Sequence, residues 1–167
     1  KAKKHSTEFS ISRFLTPYLS NFQGYSLYLD CDFIILEDVA KLLKIISKKP
    51  DKVLWCVKHK KYFPKDKIKF LREKQTPYEK KNWSSFMIFN KNKCNLTFEE
   101  VFSLPLSALH QFKWCNEEDI GEIPLEWNWL VGWYQEPKDG KPKAIHYTEG
   151  GPWFPQYRFC DYHEIHL

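Results

Sequence analysis

The segment Tyr28-Leu29-Asp30-Cys31-Asp32-Phe33-Ile34-Ile35-Leu36 constrains this chain more than any other. Two carboxylates stand one residue apart inside an otherwise apolar run. The run reads as a buried strand, bounded by Gly24 upstream and by Glu37-Asp38 downstream. Strand period puts Asp30 and Asp32 on the same side of the backbone. Paired carboxylates that lose hydration repel each other and stay ionised together only with a cation between or beside them. An isolated D-x-D is short and common, and such a pair can simply mark a strand end. Here the apolar flanks favour an oxygen-rich site for Mg²⁺ or Mn²⁺ that also holds a phosphate.

A chain of 167 residues can bury a substantial core as one domain spanning residues 1–167. Aromatic residues make up 17% of it, which argues for a ligand-binding or enzyme-like globule rather than disorder. No apolar run approaches the roughly 20 residues needed to cross a bilayer. Lys1-Ala2-Lys3-Lys4 is basic, but Ser6-Thr7-Glu8 follows it where a signal peptide needs an apolar stretch. The formal charge of +5 is concentrated between Lys44 and Lys81. Without a helix-turn-helix or RNA-binding signature nearby, this reads as a solvated basic face, and no nucleic-acid partner is expected. The cysteines Cys31, Cys56, Cys94, Cys115 and Cys160 are scattered and odd in number, with no C-x-x-C. That pattern argues against a disulfide framework and a structural zinc, and it fits a reducing, cytoplasmic compartment.

Periodicity sets out the elements. Ile11, Phe14, Leu15 and Tyr18 recur at helical spacing, so an amphipathic helix is expected from Thr7 to about Leu19, capped by Ser6 or Thr7 and limited by Pro17. Asp38 caps a second helix that presents Val39, Leu42, Leu43 and Ile46 on one face. Val53 to Val57 and Ser85 to Phe89 read as strands, separated by a basic loop region from Lys58 to Lys80. Thr97-Phe98-Glu99-Glu100 is a capping box. The Trp- and Pro-rich remainder should form compact loops and short strands, the last of them at Ala144 to Tyr147. Such alternation indicates an α/β architecture with a mixed sheet flanked by helices, whose ligands bind beyond the carboxyl ends of the strands.

A second informative block is His146-Tyr147-Thr148-Glu149-Gly150-Gly151-Pro152-Trp153. Neutral imidazole ligates Mn²⁺ well and Mg²⁺ tolerably. The double glycine lets backbone approach a ligand closely and turn N–H groups toward an anion. A lone histidine is more often a satisfied core or surface group than a ligand. The glycines beside His146, and the need of a two-carboxylate site for further ligands, raise its standing.

Five blocks occur in order: Ser12-Arg13-Phe14-Leu15 with Pro17, Tyr28-Leu29-Asp30-Cys31-Asp32, Trp83-Ser84-Ser85-Phe86-Met87-Ile88-Phe89-Asn90, Leu125 with Trp127-Asn128, and His146-Tyr147-Thr148 with Gly150-Gly151-Pro152-Trp153. Together they resemble a nucleotide-sugar-dependent glycosyltransferase of the GT-A type, similar to glycosyltransferase family 8 and its bacterial and viral relatives. The resemblance runs from about Thr7 to Trp153 and implies a GT-A-like, Rossmann-like mixed sheet. It implies that Asp30, Asp32 and His146 hold Mn²⁺ or Mg²⁺, with Asp30 also meeting the ribose. It implies that Arg13 reaches the donor sugar or diphosphate, that Ser84 and Ser85 bind the sugar, and that Gly150 and Gly151 turn beside the pyrophosphate, with Trp153 among the substrate contacts. Asn128 matches an asparagine near the acceptor side. Asp119, in Glu117-Glu118-Asp119, falls where the family carries acidic or amide groups beside the anomeric carbon, so Asp119 and Asn128 are the expected catalytic pair.

The implied reaction moves a sugar from a nucleoside-diphosphate donor, a UDP-sugar by resemblance, to a hydroxyl acceptor. Two departures matter. The final block carries no lysine, so phosphate charge must be met by the metal, by Arg13 or by a lysine from elsewhere. The family also begins with βα units that bind the nucleoside base, whereas this chain opens at the helix before the D-x-D. At least one such unit, roughly 30 residues or more, is expected to be missing: either the domain is N-terminally truncated, a fragment of a longer protein, or the base site is supplied differently. Two other classes stay open: a non-catalytic nucleotide-sugar or carbohydrate-binding fragment, and a metal-dependent phosphohydrolase. Trp83, Trp127, Trp129 and Trp153 are candidate floors for sugar rings, against core packing as the commoner role of tryptophan.

Overall fold

The computed structural model describes residues 9–21, 23–60, 80–134 and 141–165. The cap residues Ser6 and Thr7, and most of the basic loop region between Lys58 and Lys80, lie outside these residues. Seven strands form two sheets: β1 (Tyr25–Leu29), β2 (Phe33–Ile35), β3 (Leu54–Cys56), β4 (Phe86–Asn90), β5 (Ile120–Glu122), β6 (Trp129–Leu130) and β7 (Ala144–His146). The larger sheet has the order β1-β4-β3-β5 and the smaller the order β2-β7-β6. β4 runs antiparallel to both β1 and β3, and β5 runs parallel to β3. The carboxyl ends of β1, β3 and β5 therefore share one edge, where β4 begins. In the smaller sheet β2 is antiparallel to β7, and β6 is parallel to it. This is the expected mixed α/β architecture.

The apolar run around the two aspartates is not one buried strand. β1 stops at Leu29, Cys31 and Asp32 form a turn, and β2 begins at Phe33 in the other sheet. The reason lies in the pairing. The Asp30 amide donates to the Ser85 carbonyl at 2.9 Å, beside the last rung of β1 with β4, and three residues later Phe33 pairs with His146. Both strands are half-buried rather than buried.

The first helix is also broken, into Phe9–Ser12, a 3-10 turn Arg13–Leu15, and Thr16–Leu19. Pro17 does not end it; it lies in the first turn of the last segment, where a missing N–H costs nothing. Asp38 caps as expected, its Oδ1 accepting from the Ala40 amide at 2.9 Å. The following segment is 3-10 over Val39–Leu42 and α over Leu43–Ile46, and this change of pitch buries Leu42 and Ile46 while leaving Val39 and Leu43 exposed. The capping box at Thr97 and Glu100 is complete. β5 and β6 are among the short strands expected in the Trp- and Pro-rich remainder, whereas the helix Leu106–His110 was not expected.

Two apolar clusters fix the larger sheet. On one face Phe14, Leu54, Phe89, Leu109 and Phe112 pack together. On the other, Trp55, Phe86 and Ile88 meet Leu42, Ile46, Trp127 and Ala144, which ties the two sheets into one core. Gly121 is required here: a Cβ on it would lie 2.1 Å from the buried Trp55 ring. No helix among the described residues is long and apolar enough to cross a membrane.

Candidate active site

Strand pairing brings the acidic turn and the distant histidine together. Phe33 stands opposite His146, and their rings stack at 4.3 Å. The Tyr147 amide donates to the Asp32 carbonyl at 3.0 Å. Asp30, Asp32 and His146 each offer one ligand atom, and the three atoms lie within 4.8 Å of one another. His146 is buried and the two carboxylates are partly so.

The hydrogen bonds behind His146 define its tautomer. Asn128 is fully buried. Its Nδ2 donates to the Ser85 hydroxyl at 2.9 Å and to the Asn82 carbonyl at 3.3 Å. A carbonyl only accepts, so the amide nitrogen must face Asn82 and the amide oxygen must face His146. Asn128 Oδ1 lies 2.9 Å from His146 Nδ1, which therefore carries the proton. The Nε2 lone pair is left facing Asp32 Oδ1 at 3.4 Å. Two acceptors opposed across that gap are a donor set for a cation, with Asn128 as the outer partner that orients the imidazole.

Asp30 has a resident counter-charge that the sequence argument did not provide. Arg13 approaches it with two nitrogens, Nη2 to Oδ1 at 3.0 Å and Nη1 to Oδ2 at 3.4 Å. The Tyr28 hydroxyl donates to Asp30 Oδ1 at 2.8 Å. The acidic pair thus has a cation beside it without any metal. Burial, and then the negative charge of Asp30, push the Tyr28 phenol well above its ordinary range, so it stays a donor. Arg13 Nη1 also donates to the Ser84 carbonyl at 3.0 Å. The Ser84 hydroxyl lies 2.7 Å from His110 Nδ1, and His110 Nε2 lies 3.0 Å from the Ser10 carbonyl. That carbonyl requires a proton on Nε2, so Ser84 donates to Nδ1. Ser84 and Ser85 are both buried and committed to this framework behind Arg13 and His146.

Other expected site residues fall elsewhere. Asp119 precedes β5, and its carbonyl accepts from the Val53 amide at 2.9 Å ahead of β3. It therefore lies at the opposite end of the sheet from Asp30, where its carboxylate accepts from Asn116 Nδ2 at 3.0 Å. Parallel pairing of β3 with β5 puts it there. Asn128 lies behind the histidine rather than on an open face. Gly150 has φ +137°, and a Cβ there would meet the Tyr157 ring at 2.5 Å. Gly151 is packed under the Trp153 ring, where a Cβ would come within 2.2 Å. The close approach these glycines permit is thus to aromatic rings. Trp153 is 41% exposed, whereas Trp127 and Trp129 are core residues.

Sequence reasoning missed His59 and His110. His59 lies just beyond the carboxyl end of β3, on the edge that carries Asp30. Its place two residues after the apolar run Val53 to Val57 was the available signal. Burial, and secondarily the nearness of His146, lower its pKa to about 3. His110 had no such signal, because its role depends on how Leu106–His110 packs.

No protein-family model matches the chain. A curated protein of Arabidopsis thaliana named Protein CDI is 41% identical over 174 aligned residues, which take in 100% of this chain and 66% of that protein. The chain thus spans slightly less than two thirds of that relative's length. Among solved structures, an apo WbbM bifunctional glycosyltransferase matches with a TM-score of 0.60 at 17% identity, over 97% of this chain and 35% of that one. The fold of the chain is glycosyltransferase-like.

Proposed function

We propose that this chain carries the donor-binding centre of a metal-dependent glycosyltransferase that moves a sugar from a nucleoside-diphosphate sugar, of the UDP-sugar class, to a hydroxyl acceptor. The observation that carries the reading is the convergence of Asp30, Asp32 and His146 within 4.8 Å at the carboxyl-end edge of a glycosyltransferase-like fold. These three residues would hold Mn²⁺ or Mg²⁺. When bound, the ion would neutralise charge building on a leaving diphosphate. Asn128 keeps the His146 proton on Nδ1, so Nε2 remains a ligand. Arg13 adds a fixed positive charge beside Asp30 and meets the diphosphate where the final block lacks a lysine. Ser84, held by His110, and Ser85, held by Asn82 and Asn128, fix the backbone that carries these groups. Stabilisation of an oxocarbenium-like sugar falls to oxygens near Asp30 rather than to Asp119.

The test is calorimetric titration with Mn²⁺ and then UDP, together with a UDP-sugar turnover assay with and without EDTA. Asp32→Ala should abolish metal-dependent UDP binding, and Asp51→Ala, an exposed change at the far end of the sheet, should not. Equal effects from the two variants overturn the reading. Metal-dependent binding without turnover supports a non-catalytic sugar-nucleotide module instead, and release of phosphate from simple esters supports a hydrolase.

A further inference from the structure

The carboxyl ends of the parallel strands β6 and β7 lie side by side. β7 ends on His146, and the chain leaving β6 runs through Gly132, Trp133 and Tyr134. Beyond this point lies an open groove of about 590 Å³, lined by Trp133, Tyr134, Phe159, Asp161, Tyr162 and Glu164 among others. Its size falls within the range of small-ligand sites, roughly 300–1,000 Å³. Its chemistry is mixed: aromatic faces alternate with carboxylates. Phe159 is 83% exposed, the most exposed of the chain's large apolar side chains among the described residues. A ring so displayed beside carboxylates suits a ligand with apolar C–H faces and many hydroxyl donors.

Tyr134 joins this groove to the metal-ligating edge. Its hydroxyl lies 2.7 Å from His59 Nδ1, and the two rings stack at 6.0 Å. His59 is buried, and its Nε2 has no hydrogen-bond partner among the described residues. An unsatisfied buried polar atom costs about 1–3 kcal/mol and calls for an explanation.

We propose that the groove of Trp133, Tyr134, Phe159 and Asp161 is the acceptor subsite, that its ligand is a carbohydrate, and that the Tyr134–His59 hydrogen bond ties the groove wall to the metal-ligating edge. The proposal rests on the glycosyltransferase reading for the word acceptor, but its ligand class follows from the groove itself. The sugar ring lies against Phe159, its hydroxyls donate to Asp161 and Glu164, and its end nearest the metal-ligating edge meets Tyr134.

The experiment is a glycan array probed with the full chain. The best-bound methyl glycoside or oligosaccharide is then titrated calorimetrically without nucleotide or metal. Phe159→Ala and Asp161→Ala should each weaken that binding about tenfold, as loss of one aromatic or one charged contact predicts. Thermal unfolding of each variant separates loss of a contact from loss of fold. Absence of any glycan binding by the unaltered chain, or undiminished binding by folded Phe159→Ala and Asp161→Ala, overturns the proposal. Mn²⁺ and UDP titrations of the unaltered chain are read separately, so failure of the metal-site reading leaves a distinct signature.

Discussion

Replacing Asn128 by alanine tests how His146 becomes a ligand. The native amide accepts the Nδ1 proton at 2.9 Å and is itself held by Ser85 and Asn82. Its removal leaves a buried N–H without an acceptor and opens a small cavity. The stability cost is about 2–4 kcal/mol, combining an unsatisfied donor with lost packing. For a chain of this size that is a fall in Tm of roughly 4–16 °C. The imidazole has a route out of its frustration: it moves the proton to Nε2 and donates to Asp32 Oδ1, which lies 3.4 Å away. That bond closes the site on itself, because Nε2 loses the lone pair and Asp32 gains a donor. Mn²⁺ affinity should therefore drop by about 10- to 100-fold, the usual effect of removing an outer-shell partner. Asn128→Asp is the informative rescue. Its carboxylate accepts from Nδ1 as the amide does, and the Ser85 hydroxyl can rotate to donate to it, although the Asn82 carbonyl then loses both side-chain donors, Asn128 Nδ2 and the Ser85 hydroxyl. Metal affinity should return toward the native value in this variant while stability stays reduced. The assay is Mn²⁺ calorimetry beside thermal unfolding. If Asn128→Ala binds Mn²⁺ as tightly as the native chain, or if Asn128→Asp is as weak as Asn128→Ala, the tautomer argument fails.

Arg13→Gln removes a fixed positive charge from Asp30 and should tighten Mn²⁺ binding several-fold without nucleotide while weakening UDP binding about tenfold; parallel changes in the two titrations contradict this. Gly121→Ala drives a methyl group into the Trp55 ring and should cost about 1–3 kcal/mol in urea denaturation, and an unchanged midpoint would show that the sheet yields there. His59 is neutral when folded down to a pKa of about 3, while unfolded histidine titrates near 6.5. As pH falls below about 6.5 the unfolded state takes up a proton that the folded state refuses, so stability declines toward acid by up to about 1.4 kcal/mol per unit until the folded pKa is reached. His59→Gln should flatten this slope between pH 6 and 4, and an identical slope in denaturation series of both proteins rules out the residue as its source.

What could be read from the sequence followed from pattern and local chemistry. The alternation of apolar runs foretold a mixed α/β core, and the Asp38 and Thr97 caps act within a few residues of themselves. What escaped depends on pairing between distant segments. Period-2 reasoning joined Asp30 and Asp32 through a single strand; in the fold they lie between two strands, one ending at Leu29 and the other starting at Phe33, that belong to different sheets. The same limit explains Arg13. Nothing in its neighbourhood announces a partner, and it reaches Asp30 only because the broken N-terminal helix packs on the face of β1 that carries Tyr28. It also explains Asp119, which the family resemblance set beside the anomeric carbon and which the parallel register of β5 puts at the far end of the sheet.

The pairing of Arg13 with Asp30 changes the electrostatic argument for the site. A carboxylate pair alone would select strongly for a divalent ion. With one carboxylate already matched by a guanidinium, the local charge of Asp30, Asp32 and Arg13 sums to about one negative unit with His146 neutral. A divalent cation then leaves the centre positive by one, a charge suited to a diphosphate. Metal and nucleotide should for that reason bind with positive coupling, each raising the affinity of the other by the same factor. Arg13→Gln should diminish that coupling, because without the guanidinium the ion merely neutralises the two carboxylates. Titrating UDP at several fixed Mn²⁺ concentrations measures the factor directly, and a coupling that survives Arg13→Gln undiminished would mean that the guanidinium belongs to the framework of Asp30 rather than to the field that receives the diphosphate.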